Sequence, residues 1–397
     1  MSARHARRQF LAHVGSHSLF GGLLGGILSS PRLRADEPNG PALEQFTFEN
    51  SRQPSHTITG HVLTTAQDGG LLVEGQDGRL WTIEPQNLKS RESLSAAFTP
   101  WTMRELTTAL ERDLPRGFEF TSTKHYLVAT QAGKGYAHWC AGLFERLFQA
   151  FQNYWKQRDL EPAPPAFPLV AIVLKDERQF AQFAAADEGP EVAEAKGYYS
   201  IISNRIVIYD LTSGDRAPAT TAAEIARSLS AHPFNIATVV HEATHQIAFN
   251  SGLHVRMTDN PLWLTEGMAM FFETPDLTSR SGWRTVGLVN EVRLKRFLEF
   301  AAKRRRPDSL ETLVSSDARL TNAETAVDAY AEAWALTYFL LRTRQPAYCR
   351  LLRKLREQPR LQWLTPTERL ADFREHVADD LNRLDQDFLR YIRKIKV

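Results

Sequence analysis

Thr238-Val239-Val240-His241-Glu242-Ala243-Thr244-His245-Gln246-Ile247 is the stretch around which the chain is organised. Two histidines four positions apart on an α-helix lie on one face, about one turn from each other, so both imidazoles can reach one metal ion. Glu242 is rotated by about 100° from His241 and points beside that ion, where a general base for a metal-activated water would sit. The motif supplies the only ionisable residues between positions 236 and 247, which predicts a buried helix whose charges need a partner. A solvated surface helix is the alternative.

A second stretch, Trp263-Leu264-Thr265-Glu266-Gly267-Met268-Ala269-Met270-Phe271-Phe272-Glu273, follows. The 20 residues between His245 and Glu266 are enough to end one helix, turn and begin a second beside it. Catalytic zinc takes three protein ligands and keeps a fourth position open, and two histidines with a glutamate are one known set. Together the two stretches resemble the gluzincins, zinc metallopeptidases with HExxH followed by a helix bearing Trp-Leu-x-Glu-Gly-x-Ala. The alternative for Glu266 is a solvated helix carboxylate.

The resemblance implies site residues, a cofactor and a fold. It makes His241, His245 and Glu266 ligands of Zn²⁺ and Glu242 the base. It also implies an α+β zincin-like metallopeptidase domain over residues 100–397, with the active-site helix under a small mixed sheet and a mostly helical C-terminal half. The predicted order of helix, buried strand, helix, hairpin and motif helix between residues 137 and 250 agrees with that fold.

Further roles follow from the same resemblance, each with a structural alternative. Gly197–Tyr199 is the candidate edge strand for an extended substrate backbone, or an ordinary hairpin strand. Tyr330 is the candidate donor to the oxyanion formed during amide attack, or a core tyrosine. Glu273 is either a carboxylate partner of a ligand histidine or half of a structural salt bridge. His254 is interpreted as an ordinary loop histidine.

The N-terminal part of the chain predicts export and a small extra module. Residues 1–35 resemble a twin-arginine signal peptide, with Arg7-Arg8, a short glycine-rich apolar region and Ala35 at a plausible cleavage point. Residues 36–53 are polar and contain proline, which predicts a linker. Residues 54–98 predict a small β module of three strands, because Asp-Gly pairs separate short apolar runs.

Composition limits the remaining function classes. The 397-residue chain is 43% hydrophobic with a net charge of +2, so nothing indicates a nucleic-acid partner, and no apolar run after the signal is long enough to span a bilayer. Cys140 and Cys349 form either a disulfide or buried core thiols. The sequence therefore predicts an exported zinc peptidase acting on a peptide or protein substrate. A zincin-shaped metal-binding or scaffold protein without catalysis is the alternative, and a hydrolase of other cell-wall amide bonds is a third possibility.

Overall fold

The computed structural model describes residues 40–50, 53–212, 221–230, 233–274 and 283–396. The predicted signal peptide and the first part of the predicted linker lie outside these residues. The chain divides into two units. One comprises residues up to Thr102 together with Ile202–Asn204, and the other comprises residues 103–201 and the chain from Arg205 onward.

The first unit contains an antiparallel five-stranded sheet with the order β4-β3-β2-β1-β5. Its strands are β1 (Ala42–Asn50), β2 (Gln53–Thr65), β3 (Leu71–Gly75), β4 (Leu80–Ile83) and β5 (Leu88–Ala97). A small apolar core is formed by Phe46, Phe48, Leu71, Val73 and Ile83. Gly78, in the predicted Asp-Gly turn between β3 and β4, has a φ of +78°, a conformation that glycine adopts without steric cost.

Two strands of this sheet were not expected from the sequence. Residues 42–50, assigned to the linker, instead form β1, which pairs with both β2 and β5. Near the strand's middle only alternate side chains, Phe46 and Phe48, are fully buried, so a half-buried strand of this kind needs few apolar residues. The β5 strand is mostly exposed and is held by backbone pairing with β1, so its polar sequence gave no apolar pattern.

The second unit contains a mixed five-stranded sheet with the order β6-β7-β8-β10-β9. The central pairs β7–β8 and β8–β10 are parallel, whereas the outer pairs β6–β7 and β10–β9 are antiparallel. The strands are β6 (Glu119–Ser122), β7 (Tyr126–Thr130), β8 (Leu169–Leu174), β9 (Gly197–Ser200) and β10 (Arg205–Tyr209). The predicted hairpin is thus confirmed as β9 and β10, with Asn204 at its turn in a left-handed conformation (φ +60°).

Thirteen α-helices complete the described residues and make the C-terminal half helical, which confirms the expected α+β class. They are α1 (Met103–Asp113), α2 (Lys134–Lys156), α3 (Glu177–Asp187), α4 (Ala222–Ser230), α5 (Pro233–Asn250), α6 (Leu262–Phe272), α7 (Glu291–Lys303), α8 (Ser309–Ser315), α9 (Ala318–Thr321), α10 (Ala326–Thr343), α11 (Gln345–Arg356), α12 (Pro366–His376) and α13 (Leu381–Ile392). None of the helices described here is both long and apolar enough to cross a membrane.

The motif helix α5 packs against the second sheet. Gln246 donates a side-chain hydrogen bond to the carbonyl of Val170 on β8, at 2.9 Å. Near its C-terminal end, Gly252 takes a φ of +71° and the amide of Leu253 bonds back to the carbonyl of Ala248, as predicted for a glycine that ends a helix. The chain then turns toward α6.

Helix α6 is buried along its whole length and is held at two points. At its start, the backbone amide of Leu262 donates to a carboxylate oxygen of Asp317 at 3.0 Å, because Pro261 offers no side-chain cap. One turn on, Gly267 lies against α10: a Cβ there would fall 2.1 Å from the hydroxyl of Thr337 and 2.8 Å from the carbonyl oxygen of Ala333. Only glycine permits this approach, which fixes the neighbouring Glu266.

Both cysteines are buried free thiols, which agrees with the core alternative rather than with a bridge. Cys140 lies on the buried face of α2 and Cys349 on the buried face of α11. Burial raises the pKa of both thiols, so neither has the thiolate character that a nucleophile needs.

Candidate metal centre

His241 and His245 face the same side of α5, as their spacing predicts. Both side chains are buried, and their Nε2 atoms lie 3.0 Å apart. Val239, Val240, Ala243 and Ile247 of the same helix are fully buried. The two imidazoles therefore lie on a helix that is buried in the protein around them.

Helix α6 brings the carboxylate of Glu266 to the same point. One oxygen, Oε2, lies 3.1 Å from Nε2 of His241, and the other, Oε1, lies 3.7 Å from Nε2 of His245. Zinc bonds of 2.0–2.2 Å in tetrahedral geometry place neighbouring ligand atoms about 3.4 Å apart. The three distances of 3.0, 3.1 and 3.7 Å bracket that value. His241, His245 and Glu266 thus form a group that could hold a metal ion.

The hydrogen bonding of Glu266 also fits a cation. This carboxylate is fully buried, and its Oε1 has no hydrogen-bond partner among the described residues. An unpaired charged oxygen in a buried site is costly, so it calls for a positive neighbour. A divalent ion between the two imidazoles and this carboxylate would supply that neighbour.

A second carboxylate orients the first histidine. Nδ1 of His241 lies 2.6 Å from Oε1 of Glu273, which follows the last residue of α6. An ionised carboxylate only accepts hydrogen bonds, so Nδ1 carries the proton and Nε2 faces Glu266 and His245. Glu273 therefore contacts a candidate ligand histidine, as one sequence alternative proposed, and it also lies within salt-bridge distance of Arg293, as the other did.

The two carboxylates control the ionisation of His241. Burial alone would lower the pKa of this imidazole, but its hydrogen bonds to Glu266 and Glu273 raise the pKa to about 10. Burial likewise raises the pKa of Glu273, but the contact with His241 outweighs it and leaves that pKa below its usual value. Without a metal ion, the site therefore keeps an extra proton on His241 at neutral pH.

Asn290 completes these contacts and was not found from the sequence. Its Nδ2 donates to Oε2 of Glu273 at 3.0 Å, and its Oδ1 accepts from the backbone amide of Arg293 at 3.2 Å, which caps α7. The available signal was an asparagine directly before a helix with an acidic first turn, which predicts a cap but not a contact to a residue 17 positions away.

Glu242 contacts the second sheet through β9. It is buried, and its Oε2 accepts a hydrogen bond of 2.8 Å from the backbone amide of Tyr199 on β9. Its Cγ lies 3.7 Å from where a Cβ on Gly197 would be. The candidate base therefore lies directly beside the candidate substrate strand.

The candidate substrate strand is an edge strand by its pairing, although all four of its residues are buried. Tyr199 pairs with Ile206 of β10 and stacks on Phe249 of α5, with ring centroids 5.8 Å apart. The hydroxyl of Tyr198 donates to Asp187 at 2.9 Å. Because Glu242 already occupies the amide of Tyr199, an added strand would use other backbone groups of β9 or displace this contact.

Tyr330 lies in the first turns of α10 and is half-buried, outside the group of ligand atoms. The guanidinium carbon of Arg293 is 6.0 Å from its ring centroid. The same guanidinium approaches Glu273, with Nη2 3.8 Å from Oε1. The structure therefore places Tyr330 on the Glu273 side of the centre.

His254 is buried, but it is not one of the grouped ligands. Its ring packs on Phe249 at 5.4 Å, and its Nε2 has no partner among the described residues. Burial, and to a smaller extent the nearby His245, lower the pKa of this imidazole to about 3, so it is neutral at ordinary pH. His254 thus lies outside the ligand group, as predicted for a loop histidine, but it is deeply buried, which the sequence did not predict.

One family model matches part of this chain. The family is described as a protein of unknown function (DUF1570), and the match covers residues 235–362. That range includes the three candidate ligands as well as Glu242, Glu273, Asn290 and Tyr330. No curated protein matches the chain. The matched segment therefore contains the candidate metal centre and leaves the function to be inferred from the site.

Proposed function

We propose that this chain is an exported, zinc-dependent peptidase of the gluzincin type, with a zincin-like domain from about residue 100 onward. The observation that carries the proposal is the meeting of His241, His245 and Glu266 at one buried point, with pairwise distances of 3.0–3.7 Å. Two histidines and a glutamate form one of the known ligand sets of catalytic zinc. Arg7-Arg8 and the apolar segment after it support export.

Zinc held by these three residues would polarise the carbonyl of a scissile amide and lower the pKa of water to about 7. The protein's own part in proton transfer falls to Glu242. The amide of Tyr199 fixes Oε2 of Glu242, which leaves Oε1 to take a proton from the attacking water and return it to the leaving amine. The backbone contact thereby sets the direction in which the base points.

Two further residues complete the proposed peptidase site. Tyr330 is the proposed donor of a hydrogen bond to the developing oxyanion. The positive charge of Arg293, which lies beside the Tyr330 ring, would favour the negative charge of that oxyanion. Strand β9 is the proposed guide for an extended peptide, since it lies at the sheet edge beside Glu242. The substrate class is accordingly a peptide or an unfolded segment of a protein.

The alternative is a metal-binding or scaffold protein of the cell envelope that does not hydrolyse peptides. One observation favours it: Glu242 already has a structural partner in β9, so its presence does not by itself require a catalytic role. Hydrolysis of other cell-wall amides would use the same metal site and would differ only in the shape of the cleft. Catalysis must therefore be tested separately from metal binding.

The test compares the wild-type chain with Glu242→Gln, which keeps an amide oxygen for the contact with Tyr199 but removes the base. Glu299→Gln, on the exposed face of α7, is the matched control because Glu299 is not one of the candidate site residues and forms ion pairs with the exposed Lys303 and Arg304. Bound zinc is measured by elemental mass spectrometry, and hydrolysis is measured with quench-labelled casein and a defined peptide mixture. We expect about one zinc per chain in all three proteins.

Cleavage by wild type and Glu299→Gln, with a loss of at least 100-fold in Glu242→Gln, would support the peptidase proposal. Zinc in every protein with no cleavage by wild type would favour the binding alternative. Equal cleavage by Glu242→Gln and wild type would remove Glu242 from the mechanism. A wild-type chain that binds no zinc when supplied with the ion would overturn the metal centre itself.

A further inference from the structure

Three hydrogen bonds lead outward from the metal centre through three separate elements. His241 on α5 contacts Oε1 of Glu273 at 2.6 Å, and Oε2 of Glu273 accepts from Nδ2 of Asn290 at 3.0 Å. Oδ1 of Asn290 accepts from the backbone amide of Arg293 in the first turn of α7, at 3.2 Å. The end of α6 and the start of α7 are thus connected to a ligand histidine.

The donor and the acceptor of each of these three hydrogen bonds follow from the donors available. The backbone amide of Arg293 can only donate, so the side-chain atom of Asn290 that faces it is the carbonyl oxygen. The amino group of Asn290 must then face Glu273, which fixes the orientation of the amide. Each oxygen of Glu273 consequently has one donor, Asn290 on one side and His241 on the other.

Arg293 competes for the oxygen that His241 uses. Its Nη2 lies 3.8 Å from Oε1 of Glu273, too far for a hydrogen bond but close enough for a strong attraction. The guanidinium thus approaches the same oxygen that the imidazole uses, while Asn290 holds the other oxygen of Glu273.

We propose that Asn290 is a positioning residue of the metal centre. It holds Glu273 against His241, and Glu273 in turn keeps the proton of His241 on Nδ1 and the Nε2 lone pair directed at the ion. The inference rests on the metal-binding part of the proposed function and does not depend on peptidase activity. Such outer contacts commonly change metal affinity by about 10- to 100-fold.

The experiment replaces a hydrogen-bond donor with an acceptor at position 290 and keeps the size of the side chain. Asn290→Asp keeps the oxygen that caps α7 but replaces the amino donor with a second acceptor facing Glu273. Asp380→Asn is the matched control, because Asp380 caps α13 through the same kind of contact, to the amide of Arg383 at 2.9 Å. Zinc affinity is measured by competition with a chromophoric chelator, and the unfolding of each metal-free protein is measured in urea.

We expect Asn290→Asp to weaken zinc binding by about 10- to 100-fold and Asp380→Asn to leave it unchanged. The decisive protein is the double variant Glu273→Gln with Asn290→Asp. The amide oxygen at position 273 can still accept from His241, while its amino group donates to the new carboxylate. All three hydrogen bonds are then present again, and only the one between positions 273 and 290 runs in the opposite direction. We expect this protein to bind zinc more tightly than Asn290→Asp alone.

Two results would overturn the inference while leaving the proposed function intact. One is wild-type zinc affinity in Asn290→Asp. The other is weakened binding in Asn290→Asp with no recovery in the double variant, because the effect would then not pass through Glu273. Absence of zinc binding in the wild-type chain is a different outcome, which would remove the metal centre and the inference together.

Discussion

Two clusters of buried ionisable groups hold helix α6, and they balance their charges differently. At the start of the helix, the guanidinium of Arg369 lies between Asp259 and Asp317 and donates to both, at 2.6–3.2 Å. These partners raise the pKa of Arg369 although burial alone would lower it. At the candidate metal centre, the fully buried Glu266 lies beside the imidazoles of His241 and His245, and its Oε1 has no hydrogen-bond partner among the described residues.

The difference shows how a structural cluster differs from a candidate ligand site. Burial and charge are common to both, so neither property identifies function. The cluster around Arg369 contains its own cation and places a donor on every carboxylate oxygen, and Asp317 additionally caps α6. In the cluster around Glu266, one carboxylate oxygen has no donor among the described residues, and the nitrogen and oxygen atoms of three side chains converge on one point, which is the arrangement expected of a metal site.

Removing the central charge of each cluster should therefore have different consequences. Arg369→Met leaves two carboxylates buried without a cation, and we expect it to lower the free energy of unfolding by about 3–5 kcal/mol. Glu266→Gln keeps hydrogen-bonding groups and removes an incompletely paired charge. It should lower the stability of the metal-free chain by less than Arg369→Met does, because Glu273 still accepts a hydrogen bond from the protonated His241, while zinc binding falls at least 100-fold.

Urea unfolding of the metal-free proteins and chelator competition for zinc measure the two effects. The comparison would fail if Glu266→Gln destabilised the metal-free chain as strongly as Arg369→Met does. In that case the Glu266 cluster would be a structural ion pair of the same kind. Arg369→Lys serves as the control for charge, since it keeps the cation but cannot form two paired contacts with each carboxylate.

The pH dependence of stability should provide a smaller and independent difference between the metal-free and the zinc-bound chain. Because the pKa of His241 is raised to about 10 from a usual value of 6.5, the proton on this imidazole stabilises the metal-free fold. That stabilisation is complete below about pH 6.5 and is lost as the pH rises through 10. The metal-free chain should therefore lose stability between pH 7 and 10, a decline that the zinc-bound chain should lack.

The same proton should leave when zinc binds. Calorimetric titration at pH 8 in two buffers with different ionisation enthalpies should detect the release of about one proton from His241 per zinc bound, in addition to most of one proton from water whose pKa zinc lowers to about 7. Release should diminish as the pH rises above 10, where the metal-free imidazole is already neutral. Zinc uptake at pH 8 without proton release would show that the metal does not displace a proton from this histidine.

The parts of the site that the sequence predicted are those set by local geometry. His241 and His245 converge because helix geometry places residues four apart on one face, and Glu266 was added through the gluzincin resemblance. The contact of Glu273 with His241 was one of two alternatives that the sequence left open. Asn290 could not be found, because its contact joins it to Glu273, a residue 17 positions away, and no local pattern indicates that partner.

Long-range pairing also explains what the prediction of the fold from the sequence missed. The guanidinium of Arg369 bonds to Asp259, a residue 110 positions away, and no local pattern indicates that partner. Strand β1 was assigned to a linker because only one of its faces is apolar, and its remaining stabilisation comes from backbone bonds to β2 and β5. The metal helix, by contrast, carries its apolar surface and its motif within one segment.

Substitution of His254 should have the smallest effect, and it tests which residues belong to the candidate metal centre. It is as deeply buried as His245 and lies nine residues beyond it, but it is outside the ligand group, and its Nε2 has no partner among the described residues. We expect His254→Leu to leave zinc affinity unchanged and to change stability by less than about 1 kcal/mol, because an unpaired buried acceptor adds no favourable contact. His245→Leu is the matched comparison, and it should abolish zinc binding. Loss of zinc in His254→Leu would mean that this imidazole joins the centre when the metal binds, and that converging acceptors alone do not mark its boundary.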